Sequence, residues 1–271
     1  MGVLINYLNP AIQENKALVK ILQITYGFLS ILKCLEPERK PMNRILFLDN
    51  SLPDDLYHPL IYWEPLLLFP YDIFRVSVGK LPSELDPYSH ILISGSAASV
   101  LDDTEWMQAE VDLIQEAENK GKVILGSCFG HQIIARALFG MDAVRKREKP
   151  EIGWPDIQIV SSDSLFGESG RMIHTFIFHY DEVCTVPEEK ATIIARSKEC
   201  DILAFKIKDR PVWGVQPHFE MGIVQGLRYI DKVKGNQVPD KQIFFSADQY
   251  MPKDSGWVIP LMKRFHETQP V

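Results

Sequence analysis

Cys128 lies in Gly126-Ser127-Cys128-Phe129-Gly130, directly after the apolar run Val123-Ile124-Leu125 and directly before a helical pattern opening with His131-Gln132-Ile133-Ile134-Ala135. A residue pinned on a sharp strand-to-helix turn projects its side chain out of a sheet toward whatever occupies the crevice above it. Small flanking residues leave room for that turn and for close backbone packing. A helix beginning near Phe129 aims unpaired N–H groups and positive dipole at the sulfur, which favours the anionic, nucleophilic form. A second cluster follows in Val212-Trp213-Gly214-Val215-Gln216-Pro217-His218-Phe219-Glu220, an apolar strand-like run that ends in His and Glu two positions apart. On extended backbone, side chains two apart share a face. Glu220 is then placed to hold one imidazole nitrogen of His218 while the other faces a thiol. Cys128, His218 and Glu220 thus supply a nucleophile, a base and an orienting acid.

The order along the chain separates this set from that of α/β-hydrolases, in which the acid precedes the histidine. Together the two motifs resemble the class I glutamine amidotransferase family. Gly126, Cys128, Gly130 and Gln132 match the family's Gly-x-Cys-x-Gly-x-Gln, and Gln216, His218 and Glu220 match its Gln-x-His-Pro-Glu, with Phe219 in place of the usual Pro. Ile91-Leu92-Ile93-Ser94-Gly95-Ser96 reads as a buried strand ending in a small-residue turn whose N–H groups can face a ligand. The resemblance implies that Gly95 borders the substrate and that the N–H groups of Ser96 and Phe129 form an oxyanion hole. It also implies that Gln132 shapes the substrate pocket, and that the strand Phe176 to Val183, with His179 and Tyr180, helps hold the substrate's amino-acid end. His179 reads as a positioning or structural residue rather than a second base.

Two classes of function are disfavoured by composition. A formal net charge of -7, with no Lys/Arg stripe, argues against a nucleic-acid partner. The short cluster Arg145-Lys146-Arg147 is followed by Glu148 and Glu151 and reads as a solvated connector. The four cysteines, Cys34, Cys128, Cys184 and Cys200, make no Cys-x-x-Cys pair, which suits free thiols in a cytoplasmic setting. None of the seven histidines falls in a His-Glu-x-x-His arrangement, and no phosphate-binding glycine loop appears, so no metal or other cofactor is expected.

These motifs must be carried by a sheet. From Arg44 onward short apolar runs alternate with helical stretches, as parallel strands covered on both faces require. The pattern predicts strands near Ile45-Asp49, Ile73-Val78 and Ile91-Ser94, then a helix from Thr104 to Lys120 capped by Asp102 and Asp103 and closed by Gly121. The strand Val123-Gly126 follows, then the helix after Cys128 that ends near Gly140, and several β-branched strands between Ile157 and Val215. Helices over Gly222 to Lys234 and Val258 to Glu267 close the chain. The fold class expected is α/β: a doubly wound, mostly parallel, flavodoxin-like sheet with helices on both faces, plus an antiparallel excursion. Ligands in such folds sit beyond the carboxyl ends of the strands, where Gly95, Cys128 and His218 all fall. Residues 1-41 read as an N-terminal helical extension and linker. Ala17 to Leu35 is amphipathic, with lysines that argue against a stable membrane span, and Glu36-Pro37-Glu38-Arg39-Lys40-Pro41 is the linker. Residues 42-271 form the catalytic domain, whose 46% hydrophobic composition suits a sizeable core.

The activity that the resemblance implies is cysteine-dependent cleavage of a γ-glutamyl amide through a γ-glutamyl thioester. Its ligand is glutamine or a γ-glutamyl small molecule. Three readings follow: a stand-alone γ-glutamyl hydrolase or peptidase of the free-standing branch related to the GMP synthase glutaminase, a glutaminase subunit passing ammonia to a separate synthase, or an idle binding or regulatory protein on the same fold.

Overall fold

The strands that carry the predicted motifs lie side by side. A computed structural model describes residues 43–53, 55–235, 247 and 250–271, so the helix and linker expected over residues 1–41 lie outside the described residues. The first half runs β1 (Ile45–Asp49), α1 (Pro59–Trp63), β2 (Tyr71–Arg75), β3 (His90–Ile93), α2 (Glu105–Asn119), β4 (Val123–Ser127) and α3 (Phe129–Phe139). There follow β5 (Val144–Gly153), β6 (Ile157–Ile159), β7 (Met172–Ile173), β8 (Ile177–Val183) and β9 (Ala191–Arg196). The chain closes with β10 (Ala204–Ile207), β11 (Val212–Val215), α4 (Ile223–Gly235) and α5 (Val258–Glu267).

Among the described residues, nine strands form one sheet in the order β2-β1-β3-β4-β11-β10-β9-β6-β7. Pairing is parallel from β2 through β11 and antiparallel from β11 outward to β7. The chain leaves β1 toward β2 on one side and returns to β3 on the other, which opens a crevice at the carboxyl ends of the strands. The loops after β1, β3, β4 and β11 all empty into that edge.

Alternation along each strand divides the core between two faces. Leu46, Leu48, Ile91, Ile93 and Ile124 pack with Val111 and Ile114 of α2 and Ile133 and Ile134 of α3. Ile45, Phe47, Leu92, Val123 and Leu125 pack on the opposite face with Trp63, Leu261 and Phe265. Because both faces are covered, these strands read as unbroken apolar runs. Among the described residues, no helix is long and apolar enough to cross a membrane.

Three boundaries differ from the expectation. The strand predicted over Ile73-Val78 is β2, Tyr71–Arg75, and Val76–Val78 instead form a 3₁₀ turn ended by left-handed Gly79. Asp102 completes a capping box with Ser99 for a separate 3₁₀ turn and Asp103 is left-handed, so Thr104 is the N-cap of α2. The basic run read as a solvated connector is β5, which pairs antiparallel with β8 in a ribbon of its own. Arg147 pairs there with Glu182 and lies 3.7 Å from Glu151, with all three side chains close to buried. Arg145 and Lys146 stay exposed, whereas the Arg147 charge turns inward because a cross-strand partner neutralises it, a pairing that is non-local and so absent from local composition.

Inside α2, Glu110 is fully buried and accepts a hydrogen bond from Asn50 Nδ2 at 2.9 Å. Burial, opposed by that hydrogen bond, raises its pKa to about 8. The remaining oxygens, Asn50 Oδ1 and Glu110 Oε2, have no partner while both are acceptors. A proton on Glu110 supplies the missing donor. The folded state keeps this proton, whereas the unfolded chain releases it near the ordinary pKa of 4.5. Its linkage therefore lowers stability as pH rises from about 4.5 and levels off above about 8. Glu110→Gln keeps the shape without the titration. We expect its melting temperature to exceed that of the unsubstituted protein by several degrees at pH 8 and by much less at pH 5, as read by thermal melts.

Candidate active site

β4 ends at Ser127 and α3 begins at Phe129, which leaves Cys128 alone on the corner with φ 52° and ψ −105°. Such a left-handed, non-glycine backbone costs about 1–3 kcal/mol and persists only where its surroundings over-determine it. Cys128 N donates to Val215 O of β11 at 2.9 Å, and Cys128 O accepts from Gln132 N at 3.2 Å. The flanking glycines are required by space. A Cβ on Gly130 would stand 2.4 Å from Ile93 O, and one on Gly126 would stand 2.4 Å from Gly130 O. Phe129 is the first residue of α3, so its N–H has no intrahelical acceptor and opens toward the corner.

His218 and Glu220 reach the same corner from the end of β11. Their backbone is not extended as the sequence suggested. His218 N donates to Phe176 O at 2.8 Å in a bridge, and the chain then turns, with Met221 N donating to His218 O at 3.1 Å. The turn folds Glu220 back so that His218 Nδ1 donates to its Oε1 at 2.7 Å. With Nδ1 used in this way, Nε2 remains for the sulfur of Cys128, which lies close enough for its charge to act on the ring. Burial lowers the His218 pKa, but the charges of Cys128 and Glu220 and their hydrogen bonds outweigh it and raise the value to about 10. Imidazolium is therefore the favoured form of His218. Cys128, His218 and Glu220 are each about 5–6% exposed, at the base of the crevice.

The other predicted residues are placed as follows. Gly95 lies against the reacting pair, since a Cβ there would stand 2.9 Å from His218 Cε1 and 3.5 Å from Cys128 Cβ. Ser96 follows it at the rim, partly exposed. Gln132 donates from Nε2 to Asp181 O at 2.8 Å and to Gln216 Oε1 at 3.1 Å, so its amide ties α3 to β8. For His179 the expected substrate contact is corrected. Its side chain is wholly buried, Nδ1 bonds Asp181 O at 2.8 Å and Nε2 bonds Glu151 Oε2 at 3.2 Å, so it braces the β5–β8 ribbon. Tyr180 is 36% exposed, with its ring 5.5 Å from that of Phe178. Phe219, where the family motif has Pro, is buried edge-on to Phe166 at 6.1 Å in the core on the far face of the sheet.

Two participants carry no recognisable sequence pattern. Phe178 O lies 3.5 Å from the Cys128 sulfur, and Tyr57 donates to Glu220 Oε1 at 2.5 Å. A backbone carbonyl carries no sequence signal, and Tyr57 stands in an irregular loop 163 residues from its partner. Its position just past a strand's carboxyl end was the one available clue. Among the described residues, no group of three or more His, Cys, Asp or Glu side chains could hold a metal ion.

Residues 67–229 match the family model described as Glutamine amidotransferase class-I, which spans more than half of the chain. The protein belongs to the class I glutamine amidotransferases. It is similar to γ-glutamyl peptidase 4 of Arabidopsis thaliana, 37% identical over 51% of this chain and 57% of that protein. γ-Glutamyl peptidase 2 of the same plant is 31% identical over 68% of this chain and 75% of its own length. The glutamine-hydrolysing GMP synthase subunit of Methanothermobacter thermautotrophicus is 29% identical over 52% of this chain and 77% of that protein. The fold is shared with a glutamine amidotransferase of Thermotoga maritima, with a TM-score of 0.60, 22% identity and coverage of 82% of this chain and 95% of that one.

In this amidotransferase the approach of α3 to β3 leaves no room for a side chain at Gly130. Gly130→Ala places a methyl against the backbone oxygen of Ile93, which cannot swing aside as a side chain would. Overpacking of this kind costs about 1–3 kcal/mol, and a thermal melt of the variant should fall by several degrees.

Proposed function

We propose that this amidotransferase is a stand-alone γ-glutamyl hydrolase or peptidase in which Cys128 is the nucleophile, His218 the general acid and base, and Glu220 the residue that orients it. The convergence of these three side chains at the carboxyl edge of the sheet is the observation that carries the reading. The likeness to γ-glutamyl peptidases supports the substrate class.

The chemistry follows from the proton positions. The Cys128 thiolate adds to the γ-carbonyl carbon, the C=O π electrons move to oxygen, and the N–H groups of Ser96 and Phe129 receive that oxyanion. Collapse of the tetrahedral adduct breaks the C–N bond while the His218 imidazolium gives its Nε2 proton to the departing nitrogen. A γ-glutamyl thioester and a free amine result. Neutral His218 then takes a proton from water, the resulting hydroxide equivalent attacks the thioester, and the thiolate leaves as glutamate is released. Gly95 leaves space beside the sulfur and the imidazole that a side chain would fill.

A second reading, a glutaminase that feeds ammonia to a separate synthase, is supported by the likeness to the archaeal GMP synthase component. Activity of the isolated protein separates the two. The hydrolase reading expects glutamate release from at least one member of a panel of γ-glutamyl dipeptides, tripeptides and glutamine, followed by amino-acid analysis. Cys128→Ser should lower it by at least about a thousandfold. Inertness toward the peptides, with glutamine turnover appearing only when a synthase is added, would shift the assignment to the ammonia-feeding role. Failure of diazo-oxo-norleucine to label Cys128, read by mass spectrometry, would remove both.

A further inference from the structure

The loop between β1 and α1 sends one side chain into the site from outside the span matched by the family model. Tyr57 is 3% exposed, and its hydroxyl donates at 2.5 Å to Glu220 Oε1, the same oxygen that receives His218 Nδ1 at 2.7 Å. Its ring meets the imidazole edge-on, with centroids 5.2 Å apart at 74°. Tyr62 stacks on that ring at 5.8 Å and 8°, and the edge of Tyr229 meets it at 6.3 Å. Tyr57 also closes on the third side of the site, because a Cβ on Gly95 would stand 3.1 Å from its Cε1. One aromatic side chain thus touches the histidine, the acid and the glycine beside the sulfur.

Burial first, and the Glu220 charge next, raise the Tyr57 pKa well above its ordinary value, so its hydroxyl is a neutral donor at working pH. Two donors on one carboxylate oxygen stabilise its negative charge and divide that charge between them. Loss of the phenol would leave more of that charge to His218, giving a more basic imidazolium and a weaker acid toward the departing nitrogen. It would also free the carboxylate to rotate. The other titratable groups around the pair are Cys128, Tyr62 and Tyr229, with Arg228 and Asp55 acting on those two tyrosines. Ser127 Oγ lies 3.4 Å from the second carboxylate oxygen, Glu220 Oε2.

We propose that Tyr57 is a positioning residue that aligns Glu220 and moderates the basicity of His218, a role that rests on the reading of Cys128 as the nucleophile. Tyr57→Phe removes the hydroxyl and keeps the ring. The primary readout is the rate at which iodoacetamide alkylates Cys128 as a function of pH, followed at that cysteine by peptide mass spectrometry, because it requires no substrate. A more basic His218 stabilises the ion pair, so in Tyr57→Phe the rise in alkylation should move to lower pH. Glu220→Gln, which removes the charge, should move it to higher pH. On a γ-glutamyl substrate, Tyr57→Phe should lower kcat roughly tenfold with KM unchanged, the loss expected for one hydrogen bond to a charged group. An alkylation profile and kcat that superimpose on those of the unsubstituted protein would overturn the proposal. A protein inert toward every γ-glutamyl amide but showing both opposed pH shifts would sink the hydrolase reading and retain the role of Tyr57. Turnover lost in Cys128→Ser with no shift in Tyr57→Phe would do the reverse.

Discussion

The left-handed backbone at Cys128 is the constraint on which the rest of the site depends. A cysteine at φ 52° is held there only because the strand behind it and the helix ahead of it are already fixed by packing on both faces of the sheet. The Val215 carbonyl ties the corner to β11, the strand that then delivers His218. The same parallel pairing that holds the elbow therefore also sets where the imidazole arrives. The strain is local, and its support is spread across β3, β4, β11 and α3.

Burial and charge act against each other in this corner. Removing His218 from water favours its neutral form, yet the electrostatic influence of Cys128 and Glu220 more than compensates, so the proton stays on the ring. Glu220 is buried as well and shares one oxygen between an imidazole and a phenol. Those donors stand in for the solvent that a buried carboxylate has lost. The β5–β8 ribbon is built on a similar principle. Glu151, Glu182 and His179 are buried together with Arg147 close to buried beside them, and Asp181 O receives hydrogen bonds from both His179 and Gln132. This ribbon carries Phe178, whose carbonyl faces the sulfur, so its internal charges help set one wall of the site.

Much of the core was legible because parallel strands covered on two faces leave an unbroken apolar signature. Ile45–Asp49, Val123–Ser127 and the helix after Cys128 fall within a residue or so of their expected positions. β5 escaped notice for the opposite reason. Its first half is charged on both faces, and the Glu182 that pairs with Arg145 and Arg147 is contributed by β8, beyond any local window. His218 and Glu220 pair as their spacing implies, through a different geometry. A separation of two suits a strand, but here a turn makes the contact.

Residue type and order alone determined the α/β class, the elbow at Cys128 and the identity of its partners in chemistry, because glycine spacing and hydrophobic period are local properties of the chain. Only the tertiary structure decided that His179 faces inward, that Gln132 braces a strand, and that Tyr57 shares the Glu220 carboxylate. Those outcomes depend on which side chains from distant strand ends compete for the same few buried polar atoms, and that competition exists only once the sheet has brought the ends together.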